Sequence, residues 1–301
     1  MYTYSFSKEE QQYLEQYNLA GYERPSVATD MAIFSIMEDG ERDNFRKLQK
    51  KALKLLLVKR AEHPFKDMWA LPGGFCRPNE DIQETAKRNL FEETNVKEAY
   101  LSLAGVFGDV GRDPRGWIVS NTFLALVDGN KCDIRPGEKV GEANWFSIEL
   151  KKVSEDKEVL ETKANITTEY ELLLQSEGAG ESLRAKLKEY KQFANYHESV
   201  RYEIEECEGI AFDHAKLILY SLLYLRKNVE NDFKLGFDLL PETFTLTQLQ
   251  NAFELVLNKP LLAANFRRKV SEYVIETEQV IEGAGHRPAK LFKRNVGEFY
   301  K

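Results

Sequence analysis

Apolar positions along the chain follow two rhythms. Runs dense in β-branched and aliphatic residues at 26–36 (SVATDMAIFSI) and 52–60 (ALKLLLVKR) predict strands separated by a charged loop. Residues 101–127 hold a further strand pair around the loop GDVGRDPRG (108–116), and 144–150 and 197–206 each read as a strand. The helical rhythm is clearest at 211–228 (AFDHAKLILYSLLYLRKN), with Asp213 early in the helix and Arg226 and Lys227 in its last turn, where they suit the macrodipole. Ser7-Lys8-Glu9-Glu10 has the spacing of a capping box and predicts a short helix over 8–17, in an N-terminal extension of residues 1–24. The stretch 151–197 is densely charged and reads as helix or loop, with 168–174 as a strand or short helix. Strands interleaved with two long helices predict an α/β domain over 25–236, a mixed sheet between helices.

Beyond it the pattern changes. Residues 237–241 (FDLLP) break the long helix and look like a linker. Thr245 to Gln248 is a second capping box, opening a helix at 247–257; a turn at 258–260 leads to a second helix over 261–273. Residues 274–282 and 286–294 form a hairpin around Gly283-Ala284-Gly285. A helix-turn-helix followed by a hairpin is a winged helix, here over 237–301. Its second helix has the geometry to enter a major groove, with Asn265, Arg267, Arg268 and Lys269 as candidate contacts. Either Arg267 or Arg268 suits guanine edges, and Lys269 suits phosphate. On the wing, Arg287, Lys290, Lys293 and Arg294 are candidates for gripping the backbone.

Charge supports that division. Residues 259–301 carry nine Lys and Arg against five acids, a surplus of +4, so the rest of the chain carries −11 of the total −7. An acidic body with a basic tail points to a polyanion partner for the tail. With 43% apolar and 30% charged residues the 301-residue chain reads as soluble and globular, long enough for two domains. No apolar run approaches the ~20 residues of a membrane span. Cys76, Cys132 and Cys207 are odd in number and lack metal-type spacing, which suggests a reducing compartment, the cytoplasm.

The chemistry concentrates at 74–96, GFCRPNEDIQETAKRNLFEETNV. Pro72-Gly73-Gly74 signals a turn, Asn79 is the expected N-cap, and Glu80 and Asp81 suit a first helical turn. Ile82, Ala86 and Leu90 supply an apolar stripe, leaving Arg88, Asn89, Glu92 and Glu93 as one polar cluster. Adjacent carboxylates repel unless a cation sits between them, and Mg2+ or Mn2+ suits such oxygen ligands.

This segment resembles the Nudix box, G-x5-E-x7-R-E-U-x-E-E-x-G-U with U aliphatic, at Gly74, Glu80, Arg88, Leu90, Glu92, Glu93 and Val96. Two positions depart from it: Asn89 replaces a Glu and Asn95 replaces the last Gly. The resemblance implies an α/β/α sandwich, metal ligation by Glu92, Glu93 and the turn carbonyl near Gly73, and an orienting role for Arg88. Asn89 is no general base, which weakens a hydrolase reading. The phrase GRDPRG and the helix at 211–219 are similar to segments of Nudix proteins that handle ADP-ribose. That places Asp109, Arg112, Arg115, Gly73 and Gly74 at the ligand, with His214 as a structural residue. FTLTQLQ, NFRRKV and GHRPAKLF, following such a domain, resemble the Nudix-related transcriptional regulators. The resemblance implies a DNA-binding homodimer whose Nudix domain senses ADP-ribose or a related nucleotide sugar. The alternative is a Mg-dependent hydrolase of such a compound, with Glu93, Glu92 and Arg88 as catalytic residues.

Overall fold

The computed structural model describes residues 4–40, 50–137, 140–194, 197–281 and 289–299. The chain opens with α1 (Lys8–Gln16), whose Ser7 cap and Glu10 close a capping box as predicted. Then β1 (Ser26–Glu38) pairs antiparallel with β2 (Lys51–Arg60). Two short strands, β3 (Trp69–Ala70) on β2 and β4 (Gly73–Phe75) on β1, bring the chain to α2 (Ile82–Thr94). After it β5 (Tyr100–Phe107) and β6 (Ile118–Leu126) form a hairpin, and β6 lies parallel to β1.

The largest departure from the sequence reading follows. Residues 151–194 are strands joined by tight turns rather than helix, and 168–174 takes the strand reading. They belong to a meander of β7 (Val140–Val159), β8 (Lys163–Ser176), β9 (Glu181–Ala194) and β10 (His197–Glu208). In β9, Leu183, Ala185 and Leu187 are buried and alternate with exposed Arg184 and Lys186. That is a period of two, the mark of a half-buried strand. The high charge disguised it, because the outer face carries cross-strand ion pairs such as Lys186–Glu206 at 2.8 Å and Lys188–Glu205 at 2.6 Å. The inner face even holds a carboxylate: buried Glu189 accepts from Tyr202 (2.9 Å) and Tyr170 (3.3 Å) and pairs with Lys191.

Among the described residues the strands form one mixed sheet in the order β10-β9-β8-β7-β2-β1-β6-β5. Alternate residues of β1 serve its two faces. Met31 and Ile33 join Ala86 and Leu90 of α2 in one core; Ala32, Phe34 and Ile36 join the other, around α3 (His214–Asn231). That is the expected α/β/α sandwich. The sheet also curls around α3, because Tyr220 on that helix meets Phe107 of β5 at 5.3 Å and Tyr202 of β10 at 5.8 Å, edge to face. Sequence placed Arg226 and Lys227 in the last helical turn; α3 instead runs on to Asn231, so its last turn carries no base.

The C-terminal part is the predicted winged helix: β11 (Thr243–Phe244), α4 (Leu246–Leu257), α5 (Ala263–Val270), β12 (Val274–Ile281), β13 (Ala289–Arg294) and α6 (Val296–Phe299). Its strands order β11-β13-β12. Residues 237–241, expected to break the long helix as a linker, are packed into the core. Phe233–Leu239 is a 3-10 helix whose Phe237 is fully buried among Phe244, Phe253 and Phe299. One continuous apolar cluster therefore runs from the sheet through α3 into α4 and α5.

Candidate functional site

The box forms a turn, short strand and helix beside β1. Asp81, not Asn79, is the N-cap, and it closes a capping box with Glu84; Asn79 lies two residues before it in a left-handed conformation, φ 72°. The helix ends at Asn95, also left-handed at φ 61°. The box asks for Gly there because only φ > 0 suits the C-cap, and Asn is the residue that tolerates it next best. This departure from the pattern therefore preserves the geometry.

Asn89 is different. It is buried, and its Nδ2 donates to Thr29 Oγ1 (2.8 Å) and to the Gly74 carbonyl (2.9 Å). Its Oδ1 accepts from Arg88 at 2.6 Å. A carboxylate has no donor for that carbonyl. Arg88 holds Glu80 by two bonds (2.7 and 2.8 Å), the Phe75 carbonyl and Glu92 (3.1 Å). The Arg88 hydrogen bond pulls the Glu80 pKa down to about 2. Glu92 is shared with Arg77 at 3.0 Å, and Glu93 accepts the Gly73 N–H at 2.9 Å. Gly73 is obligatory: a Cβ there would sit 2.3 Å from the Thr29 carbonyl.

The implied divalent cation fits this arrangement poorly. Glu92 and Glu93 are adjacent, but among the described residues no three His, Cys, Asp or Glu converge as ligands. The position that would supply a further carboxylate is the amide of Asn89, and two guanidinium groups already neutralise Glu92. What these residues do is brace the turn at Gly73–Gly74.

The turn opens onto a cleft of about 790 Å3. Gly73, Gly74, Arg88, Glu92, Glu93, Arg112 and Arg115, all expected at the site, line it together. Asp109 does not: it pairs with Lys216 and lines a separate, smaller pocket of about 200 Å3. Arg112 is tied by 2.8 and 3.1 Å bonds to Asp213, which precedes α3. Arg115 is clamped by Asp113, and its guanidinium faces Phe75 (5.2 Å) and Phe212 (5.1 Å). Burial opposes ionisation of Asp113, yet the Arg115 bonds hold its pKa below the ordinary value. His214 is structural as expected: its Nδ1 accepts the Leu71 N–H at 2.9 Å, and burial lowers its pKa, keeping it neutral.

Sequence reasoning passed over Arg60, Arg77, Phe75, Phe212 and Asp30. Arg60 lies 4.7 Å over the Phe212 ring, and Asp30 accepts from Ser120 beneath Arg112. Arg77 and Phe75 sit inside the box and carry a readable signal; Phe212 and Asp30 meet the cleft only through the fold.

In the winged helix, Asn265, Arg267 and Arg268 are exposed on α5, and Phe266 and Val270 turn inward. Lys269 lies 3.8 Å over the Phe233 ring, so it braces the helix rather than projecting freely. Lys290 pairs with Glu276. Lys293 is exposed, but Arg294 is a structural clamp on Asp238 and the Phe237 carbonyl, not a wing contact. Arg287 lies outside the described residues.

Residues 45–165 match the NUDIX domain family. An ADP-ribose pyrophosphatase of Methanocaldococcus jannaschii is 36% identical over 146 residues, 48% of this chain and 75% of that protein. The chain belongs to the Nudix family. Downstream of the Nudix domain, residues 236–293 match the NrtR DNA-binding winged helix domain. Both parts align with an Acinetobacter baylyi protein named ADPR responsive transcriptional repressor NtrR, 29% identical over 287 residues, 94% of this chain and 88% of that one. The crystal structure of Shewanella oneidensis NrtR superposes with a TM-score of 0.55 at 25% identity, covering 89% of this chain and 94% of that one.

Proposed function

We propose that the protein is a DNA-binding transcriptional repressor of the cytoplasm that responds to ADP-ribose or a related nucleotide sugar bound in the Nudix cleft. The observation that carries this reading is α3, which touches both halves. At its start Asp213 grips Arg112 of the cleft. Its 18 residues span about 27 Å. Near its end Arg226 donates to the Val256 carbonyl of α4 at 3.0 Å, and Glu230 pairs with Lys259 beyond α4. A diphosphate seeking the cleft guanidinium groups competes with Asp213 for Arg112. The charge balance at the head of the helix then changes, and the helix carries that change to α4 and α5. Coupling requires unequal ligand affinity in the DNA-bound and free states.

Asn265, Arg267 and Arg268 would meet bases and Lys293 the phosphate backbone, with two copies matching a palindromic site. The A. baylyi relative bears the name of an ADPR-responsive repressor, which supports the direction of control. A mobility-shift assay on promoter fragments tests the proposal. Salt-sensitive binding released by ADP-ribose is expected; binding indifferent to ADP-ribose overturns it.

The second reading is a hydrolase, favoured by the adjacent Glu92 and Glu93 and by the pyrophosphatase relative. Incubating ADP-ribose with the protein and Mg2+ or Mn2+ and assaying for AMP decides it; turnover lost in Glu93→Gln supports the enzyme.

A further inference from the structure

Two side chains of the loop 108–116 reach the head of α3, and they carry opposite charges. Asp109 and Arg112 are joined by a turn in which the Arg112 N–H donates to the Asp109 carbonyl at 3.2 Å. Asp213 and Lys216 have the same spacing at the start of the helix, which makes them neighbours on its surface. The four interlock. Arg112 gives Asp213 two bonds, 2.8 and 3.1 Å, and Lys216 donates to Asp109. Lys216 also stands 3.5 Å from Asp213. Asp213 therefore lies between two cations, bonded to one and within a short step of the other.

The cleft meets one end of this chain of charges. Arg112 lines it, whereas Asp109 and Lys216 line the separate pocket of about 200 Å3. Exposure decides which acid can be left without a cation. The Asp213 side chain is 10% exposed and that of Asp109 is 68% exposed. A carboxylate as open as Asp109 is solvated, and its ion pair contributes little. Asp213 stripped of its partner would be an uncompensated buried charge, which is strongly unfavourable. Asp30, 3.9 Å from Arg112, already accepts from Ser120.

A phosphate that draws Arg112 toward the cleft would by itself strand Asp213, and the buried acid would oppose binding. Lys216 removes that obstacle. Its ammonium needs only to close the 3.5 Å gap to Asp213, has the small pocket beside it for room, and gives up a bond to an exposed acid. Each buried charge then keeps a partner: Arg112 on the phosphate, Asp213 on Lys216, with Asp109 left in water. The loop loses both of these ion pairs to α3 in one event. Gly111 (φ 77°) and Gly116 (φ 142°) give its backbone freedom to follow, and Val110 at its tip is fully exposed.

We propose that Lys216 is a positioning residue for the ligand: it exchanges Asp109 for Asp213 when the cleft takes up a diphosphate, and so sets how readily Arg112 is released. This rests on the reading of the cleft as an ADP-ribose site and adds the step by which occupancy reaches the head of α3.

Calorimetric titration of ADP-ribose into five full-length proteins tests it: the native chain, Lys216→Met, Lys216→Arg, Asp109→Asn, and the double variant Lys216→Met/Asp109→Asn. Lys216→Met leaves Asp213 wholly dependent on Arg112 and should weaken binding about 10- to 100-fold, the scale of coupling within one ion-pair network. Lys216→Arg keeps the charge and should recover most of that loss. Asp109→Asn frees Lys216 for Asp213 and should tighten binding about 3- to 10-fold. With Lys216 already replaced, Asp109→Asn should change affinity by less than about 2-fold. A fixed staple between loop and helix predicts the same loss from both single changes, since each breaks one pair. A field acting at a distance predicts an Asp109→Asn effect equal in both backgrounds. Either pattern, or a Lys216→Arg as weak as Lys216→Met, overturns the exchange and leaves the cleft reading standing. If Lys216→Met loses the native near-UV circular dichroism, Asp109→Asn decides alone, and binding no tighter than native overturns the proposal. A native chain that takes up no ADP-ribose overturns the reading of the cleft and this proposal with it.

Discussion

Replacing Asn89 by Glu restores the box pattern and should destabilise the protein unless a divalent cation is present. In the native chain Asn89 Nδ2 donates to Thr29 Oγ1 and the Gly74 carbonyl from a buried position. Thr29 can rotate its hydroxyl to donate to a carboxylate, but the Gly74 carbonyl cannot donate. Leaving that acceptor unpaired costs about 1–3 kcal/mol. The added methylene has to be fitted into a site where the side chain of Asn89 is already buried and bonded on both ends. Overpacking of this kind costs about 1–3 kcal/mol. Arg88, now 2.6 Å from the amide oxygen, offsets part of this by a charge-assisted bond of about 1.5–3 kcal/mol. A net loss of about 1–3 kcal/mol lowers the melting temperature by roughly 2–5 °C for a chain of this size. With Glu92 and Glu93 a third carboxylate completes a cation site. Mg2+ at 100 times its dissociation constant then returns about 2.7 kcal/mol. The assay is thermal melting in EDTA and in Mg2+, with Asn89→Gln as the uncharged control and ADP-ribose hydrolysis followed alongside. Asn89→Glu melting like the native chain in EDTA, or both variants responding equally to Mg2+, refutes this account of the turn.

Further outcomes follow from the same geometry. Arg267→Ala should weaken DNA binding and reduce the salt slope by about 1, measured by fluorescence anisotropy at several salt concentrations, and Lys269→Ala should act chiefly on stability through its Phe233 contact. Asp213→Asn leaves Arg112 short of its buried partner and should cost about 3–5 kcal/mol in denaturant unfolding, with loss of ADP-ribose control over any DNA binding that survives. Gly73→Ala should abolish ligand binding in calorimetry, because its Cβ would strike the Thr29 carbonyl at 2.3 Å. The pH dependence has a definite sign. Burial depresses the His214 pKa, so below about pH 6.5 the unfolded chain takes up a proton that the folded chain refuses, and stability falls with falling pH. Glu80, held at about 2 by Arg88, adds stability present above its ordinary carboxylate value and lost as pH drops toward 2. Melting curves from neutral to acid pH check both; His214→Gln should flatten the first part.

Local pattern alone determined a good deal of this protein. The box, its turn and its helix are legible because each role belongs to a residue type at a set spacing: a turn at Pro72-Gly73-Gly74, an apolar stripe at Ile82, Ala86 and Leu90, carboxylates one turn from Arg88. The winged helix is legible for the same reason, through the Thr245 capping box, a turn and a basic hairpin. Other features were decided by tertiary structure. The strands of 151–197 hid behind their charge, since a lysine on a sheet's outer face and a lysine on a solvated helix look alike until a neighbouring strand supplies Glu205 or Glu206. Residues 237–241 read as a linker until Phe237 found three rings to pack against. Arg112 and Arg294 are cations in the sequence, yet folding committed both to buried or half-buried partners, Asp213 and Asp238. A charge's availability depends on which opposite charge the chain brings beside it, and those partners lie 101 and 56 residues away. Spacing along the chain fixes what a helix or turn can be, whereas desolvation and pairing across the fold fix what its side chains are still free to bind.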